Sequence, residues 1–508
     1  MRPLFLVAPG KRVISYTDPR FLSVALDWAL VVGERWWEGT RRTRRGFGSI
    51  RAPQLDLSDP RLISAAASLE PAYLRLGGSE SDRMAFGGSP ARGGVAPPPA
   101  PTRCPTILTP ERWDQTVEFA SAARLELFVC VGAGECARDH RGAWRPDSFR
   151  RFLNHVSRRG DKVAVWELGN EVNGFPFVHG PSARVSPRQY AEDYTLFRET
   201  IEELLPRRPA HAGAGERALA AGPASAVWPV IGEPLPMTRA VTRRLGSQLD
   251  MLTWHYYPYQ SRRGIFGVRR VGFHNALWSR AHRSAVRLAG RMRRFASENG
   301  SGPVWLSETG HALFGGQPGV SDRFVGSLWW LDHLGSMAAA GMSGLVRQAL
   351  VGGDYGLLDQ EGLRPRPDFW CCLLWKRLMG ERVYEPLRVG RLFTVYRHGR
   401  ADSDGGWSAL AVNMSRRRRA TLELPRSAEA WWVDGPLRAT GLIVNEKRLG
   451  PGDEPSLATI PDSVTVSGAV TVPPSSALFL EFGPEGAGWS GEATAESADG
   501  CARTAPSR

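Results

Sequence analysis

The sequence predicts an α/β fold: a (β/α)8 TIM barrel with an accessory antiparallel β-sandwich formed by the N-terminal strands and the C-terminal region. Three observations carry that expectation. Eight short apolar segments alternate with helical patterns, which argues for parallel βα units, and eight such units argue for a closed barrel over an open sheet. From about Val383 the pattern shortens into alternating runs separated by Gly, Pro and Asp clusters, as in a sandwich. Two of the apolar segments run into a glutamate, Glu171 and Glu308, at the strand end that a parallel barrel turns towards its functional rim.

In chain order, residues 1–16 hold two short apolar pieces, 4–8 and 12–16, that read as edge strands able to complete the sandwich. The barrel is expected over 17–380, with strands at 21–27, 72–76, 125–131, 163–168, 218–222, 251–255, 304–307 and 344–350, the fifth having the weakest pattern. Helix starts are marked by Thr109 before Pro110, by Ser186 before Pro187 with Gln189 completing a capping box, and by Ser321 with Asp322 ahead of an apolar stretch reaching Gly341. A Gly- and Pro-rich segment at 83–104 reads as a flexible surface excursion. A second excursion, 262–273, brings Arg262, Arg263, Arg269 and Arg270 to the presumed rim, where a basic loop can contact an acidic chain. The sandwich is expected over 381–484, and the small, polar, unpatterned residues 485–508 read as a disordered tail.

Composition excludes several classes. A hydrophobic content of 42% is ordinary for a globular protein, and no stretch reaches the roughly 18 apolar residues of a membrane span. The net charge of +14 invites an acidic partner, yet only Lys11, Lys162, Lys376 and Lys447 are lysines, and arginine is spread evenly along the chain. No zinc-finger spacing or RNA-binding signature accompanies the basic runs, so nucleic acid is not the expected partner. The six cysteines form no metal-ligand pattern; Cys130 with Cys136 can bridge, but buried free thiols are expected. The start MRPLFLVAPGKR has too short an apolar run for an export signal.

Polar residues at the strand ends converge on one rim: Asp27, Ser79, Asn170, Glu171, His255, Tyr257 and Glu308, with Tyr355 just past the eighth strand. Retaining glycoside hydrolysis needs a proton donor and a nucleophile about 5–5.5 Å apart, one kept protonated and the other ionised. Glu171 and Glu308 suit those roles, and Asn170 is placed to bond a sugar 2-hydroxyl. Trp254, Trp329 and Trp330 are expected in the core, and Cys371 and Cys372 as packing groups on a helix. His255 reads first as a core residue bonded to a neighbouring strand, with a supporting role at the site as the other option, and Arg262 is the basic candidate for such support.

The order TDPRFLSVALD, LEPAYLRLGGSESD, WELGNEVNGF, TWHYYP, VWLSETGHALFGGQPGVSDRF, WWLDHLG, VRQALVGGDYGLLD and PPSSALFLEF resembles the heparanase and β-glucuronidase family of retaining glycosidases, from about residue 17 to 483. The resemblance implies that Glu171 is the acid/base and Glu308 the nucleophile. It also implies that Asn170 and Asp27 bind sugar hydroxyls, that Tyr257 supports the nucleophile, and that Tyr355 with backbone amides near Gly315 and Gly316 holds a uronic carboxylate. Counted without a gap from Glu308, Leu313 and Phe314 stand where that family usually has Tyr and Gly. The resemblance suggests an extracellular or periplasmic place of action. The expected function is retaining hydrolysis of β-linked glucuronic acid in a glycan or acidic polysaccharide, without metal or cofactor. The alternatives are a retaining glycosidase for a neutral sugar and a non-catalytic binder of acidic glycans.

Overall fold

The computed structural model describes residues 4–33, 35–36, 50–51, 53–87, 104, 106–205, 217–227, 235–264, 269–277, 279–402 and 405–484. Its centre is a closed barrel of eight parallel strands: β1 (Leu22–Asp27), β2 (Tyr73–Gly77), β3 (Glu126–Val131), β4 (Val163–Leu168), β5 (Leu219–Val227), β6 (Met251–Tyr256), β7 (Val304–Thr309) and β8 (Gly344–Arg347), with β8 pairing back onto β1. Each strand is followed by a helix, in order Pro60–Ala67, Pro110–Ala122, Asp147–Arg159, Pro187–Leu204, Leu235–Leu245, Ser279–Asn299, Phe324–Ala339 and Pro367–Leu378. All eight strands fall on the expected segments. The fifth extends past its apolar stretch to Val227 through a register shift between Gly222 and Ser225.

The strands are apolar on both faces because both are covered. One set of side chains packs outward against the helices. The other fills the barrel, where Ala25, Tyr73, Phe128, Val165, Met251, Trp305 and Val346 form a layer below the functional rim. Trp254, Trp329 and Trp330 are buried in the main core, and Cys371 and Cys372 are buried free thiols.

Helix starts follow the sequence signals in part. Thr109 Oγ1 accepts from Arg112 N and Ser186 Oγ accepts from Gln189 N. The capping box at Ser186 is only half formed, because the Gln189 amide bonds Asp193 one turn on instead of reaching back. Ser321 does not cap the next helix. Its hydroxyl accepts from Gln317 N, and the helix begins at Phe324 behind an extended Arg323.

The excursion expected at 83–104 is partly ordered: Met84–Phe86 pairs in parallel with Thr106–Leu108, while 88–103 lie outside the described residues. The cysteine expectation is corrected here. Cys104 is bonded to Cys136, while Cys130 is a buried free thiol whose Sγ sits 3.5 Å from Ser81 Oγ. Cys136 lies on a short turn beside the chain entering Thr106–Leu108, a proximity that spacing along the chain does not reveal.

The C-terminal strands build two sheets. The larger carries Met379–Val389, Phe393–Arg400, Trp407–Asn413, Ser476–Phe482 and Ala428–Asp434 side by side, with Ser15–Tyr16 on its edge; the smaller joins Leu4–Phe5, Ala420–Glu423 and Ala469–Val472. The N-terminal pieces therefore enter the sandwich, one in each sheet. In the larger sheet the two-residue alternation separates two cores. Val395, Ala409, Ala411, Leu478 and Leu480 face the smaller sheet, and Tyr396, Leu410, Val412, Ala477 and Phe479 face the barrel. The helix Phe324–Ala339 lies in that joint, so it is buried on every side from Phe324 to Ala338. Tyr396 donates its hydroxyl to Asp332 Oδ1 across the joint at 2.7 Å. The tail 485–508 lies outside the described residues.

Candidate active site

Strand β4 ends at Leu168, and the next three residues leave extended geometry abruptly. Gly169 has φ 77° and Glu171 φ 56°, a left-handed conformation that a residue with a side chain holds only when its surroundings impose it. Three contacts impose it. Gly169 N donates to Val131 O at 2.7 Å, Glu171 N donates to Ala224 O at 3.0 Å, and Asn170 N donates to the Asp82 carboxylate at 3.2 Å. Glu171 is thereby turned into the barrel mouth, 7% exposed.

Glu308 arrives from β7 by a different device. The pairing of β6 with β7 shifts register between Trp254↔Leu306 and His255↔Glu308, a bulge that sets Glu308 beside His255. Glu308 Oε1 accepts from the Tyr257 hydroxyl at 2.7 Å and Oε2 from Arg75 Nη1 at 3.0 Å. Burial pushes its carboxyl up, while Arg75 and the Tyr257 hydroxyl oppose that by favouring the ionised form. Carboxylate oxygens of Glu171 and Glu308 approach within 4.8 Å, and His255 Nδ1 lies 3.3 Å from Glu171 Oε1 and 3.8 Å from Glu308 Oε2. Two carboxyl groups this close leave no room for an attacking water between a bound sugar and the second carboxylate, which is the arrangement used for double displacement.

Arg75 is the hub of the site. It is fully buried on β2 and reaches Glu167 Oε2 at 2.8 Å, Glu308 Oε2 at 3.0 Å, Asn170 Oδ1 at 3.0 Å and His255 Nε2 at 3.2 Å. Glu167, fully buried on β4, also accepts from Ser307 at 3.1 Å. Neither Arg75 nor Glu167 is among the residues expected from strand ends. Their signal was present in the alternation: Tyr73 and Arg75, and Val165 and Glu167, share the inward face of their strands, so a charge there points into the barrel. His255 is kept neutral, its basicity driven well down by burial and then by Arg75. The same residues offer two carboxylates and an imidazole at metal-binding spacing, yet the Arg75 guanidinium already lies against Glu308 and His255 Nε2, where its charge opposes a divalent cation.

Asp27, at the end of β1, is buried and receives the Gln348 amide; burial, with Glu308 and Glu80 nearby, pushes its carboxyl well up. Gly78 makes this packing possible. It holds φ 91°, and a Cβ there would come within 1.5 Å of Asp27 Oδ1. Tyr355 stacks on Tyr257 at 6.3 Å and accepts from Gln348 at 3.5 Å. Leu313 packs on the small apolar cluster of Tyr257, Ala349 and Tyr355. The Gly316 amide is committed to Ala312 O at 3.1 Å, which leaves the Gly315 amide as the open donor of that pair among the described residues.

Two further candidates stand apart from this network. Ser79 opens a 3-10 turn over Ser79–Arg83 and is half-buried. Arg262 is exposed and contributes its backbone N–H to Gln317; its neighbour Arg263 takes the buried position, because the loop turns between them. A residue missed altogether is Asp82, whose carboxylate accepts from Ala133 N at 2.8 Å as well as from Asn170 N, tying the loops after β3 and β4 together.

A family model described as glycosyl hydrolase family 79, N-terminal domain, matches residues 5–335. Heparanase-like protein 1 of Arabidopsis thaliana is 26% identical, covering 94% of this chain and 93% of its own. Heparanase of Rattus norvegicus is 27% identical over 73% of this chain and 70% of its own, and baicalin-β-D-glucuronidase of Scutellaria baicalensis 26% over 77% and 74%. Among solved structures, a 4-O-α-L-rhamnosyl-β-D-glucuronidase from Fusarium oxysporum superposes with a TM-score of 0.66 at 14% identity, covering 94% of this chain and 99% of that one. A family 51 arabinofuranosidase from Xanthomonas axonopodis gives 0.63 at 13%, over 94% and 98%. Likeness at that identity speaks to the fold, a barrel with an attached β-sandwich.

Proposed function

The chain belongs to glycosyl hydrolase family 79 and is a glycoside hydrolase, and from that premise we propose that it removes or cleaves at a β-linked glucuronic acid by double displacement on Glu308 with Glu171 as acid/base. The observation that carries the reading is the approach of the two carboxylates to within 4.8 Å on one rim. Glu308, held by Arg75 and Tyr257, attacks the anomeric carbon as Glu171 protonates the departing oxygen. Water, deprotonated by Glu171, then releases the sugar. Because Arg75 holds Asn170 Oδ1, the Asn170 amide NH2 is the end offered to the sugar 2-hydroxyl. A binding-only role has no use for a buried acid pair held this close, since its mutual repulsion opposes folding.

The uronic preference draws on heparanases and a β-glucuronidase among the relatives, and on Tyr355 and the open Gly315 amide as donors for a carboxylate. Two observations favour a neutral sugar instead: the Gly316 amide is used internally, and Leu313 adds an apolar wall beside Tyr355. Hydrolysis of an aryl β-glucuronide beside the matching β-glucoside decides between them, with Glu308→Gln as the control. Release from the glucuronide, abolished in the control, is the expected result; release from the glucoside alone rejects the uronic reading.

A further inference from the structure

The loop after β6 and the loop after β8 meet behind Gly315 and Gly316 through a buried ion pair. Arg263 Nη1 stands 2.6 Å from Asp354 Oδ2, with the two side chains 7% and 16% exposed. Arg263 also donates to Gly316 O at 3.1 Å, and Asp354 N donates to Gly315 O at 2.6 Å. The packing is tight: a Cβ on Gly316 would lie 3.2 Å from Asp354 Cβ, and one on Gly264 would lie 2.8 Å from the Phe314 ring. Phe314 holds φ 66° in the segment where these loops touch.

We propose that Arg263 is a specificity-determining residue: by cancelling the charge of Asp354 it keeps the pocket beside Tyr355 open to an anionic sugar. The proposal rests on the glucuronide reading above and deepens it. Asp354 is the residue before Tyr355; burial pushes its carboxyl up, and Arg263, ahead of Arg366, favours the ionised form, so with Arg263 gone the charge Asp354 keeps would stand uncancelled behind the place where a uronic carboxylate is to bind. In a buried setting such a charge is weakly screened and repels a like charge strongly. Arg263 removes that repulsion: its Nη1 meets Asp354, and its buried Nε has no hydrogen-bond partner among the described residues, so its charge is not spent on a second acid. A neutral sugar would feel neither effect.

The test compares kcat/KM for an aryl β-glucuronide and the matching β-glucoside in the wild type, Arg263→Gln, Asp354→Asn and the double variant. Arg263→Gln, which exposes the Asp354 charge, is expected to lower the glucuronide-to-glucoside ratio by about tenfold or more. Asp354→Asn, nearly the same shape with the Arg263 charge left unopposed, is expected to raise the ratio. The double variant, neutral at both positions, is expected to return to within about threefold of the wild-type ratio. Equal losses on both substrates in Arg263→Gln, or a double variant no better than Arg263→Gln, overturn the proposal and leave the pair a structural clamp. If Arg263→Gln does not fold, Asp354→Asn decides alone: a ratio that stays or falls overturns it. Failure of the glucuronide reading itself is seen separately, in a wild type that hydrolyses only the glucoside.

Discussion

Arg75 Nη2 lies 3.2 Å from His255 Nε2, and because a guanidinium can only donate, that contact fixes the imidazole tautomer. Nε2 accepts, so the proton sits on Nδ1 and is donated to Glu171 Oε1, 3.3 Å away. In the proposed mechanism, the proton that Glu171 delivers is then left to Oε2. One buried side chain thus orients Glu171 through His255, Glu308 directly, and Asn170 by its amide oxygen. An ammonium cannot span these partners, so Arg75→Lys is expected to lower kcat on an aryl substrate by on the order of a hundredfold or more. KM should change much less. Steady-state kinetics on folded variant, verified by circular dichroism, check it; a variant within threefold of wild type would remove Arg75 from the account.

The two glutamates should separate on leaving-group dependence. Glu171→Gln is expected to slow a substrate with a poor leaving group by roughly 10²–10⁴, and a nitrophenyl glycoside far less, since that group departs without protonation. Glu308→Gln should abolish turnover of both. Equal losses on the nitrophenyl substrate would contradict the assigned roles.

Asp82 supplies both carboxylate oxygens to backbone donors, and burial pushes its carboxyl up to about 7 while those donors pull it down. Asp82→Asn keeps the shape but turns an NH2 towards one of the two N–H groups. The mismatch is expected to cost about 1–3 kcal/mol of stability. It should also lower kcat with the Glu171 loop loosened, beyond what a surface variant of equal Tm loss shows. Thermal melts beside kinetics test the pairing of the two effects.

His398, buried in the sheet that faces the barrel, donates Nδ1–H to Gly380 O, and burial drives its imidazole down to about 4. Below about pH 6.5 the unfolded chain takes up a proton there that the folded chain refuses, so this residue withdraws stability as pH falls from about 6.5 to 4, by on the order of 3 kcal/mol. Asp82 works in the opposite sense over much of that range, its raised carboxyl favouring the folded state more at low pH, so the total curve mixes the two. The readout is therefore the difference in unfolding free energy between wild type and His398→Gln against pH. It should narrow as the pH drops from 7 to 4; a constant difference would show that His398 takes up its proton equally in the folded and unfolded chains, and that burial does not depress it.

Strands such as Val163–Leu168 and Val304–Thr309 were legible because a parallel barrel buries both faces, which writes a continuous apolar run, and Glu171 and Glu308 were legible because they close those runs. What escaped depends on partners remote in sequence. Arg75 inside YLRLG reads as an interruption until Glu167, 92 residues on, is seen to compensate it. Cys104 has no local mark that points to Cys136, and Asp82 lies in a turn whose partners sit on two other loops. The basic loop after β6 was visible, but the choice of Arg263 over Arg262 for burial is made by Asp354 on the loop after β8, about 90 residues on in sequence.

The closeness of Glu171 and Glu308 is tested most directly by the configuration of the first product. Proton NMR during hydrolysis of an aryl β-glucuronide should show the β-anomer of the free sugar appearing first and mutarotating to the α-anomer afterwards. Initial release of the α-anomer would mean inversion by a single displacement, and would contradict the nucleophilic role of Glu308.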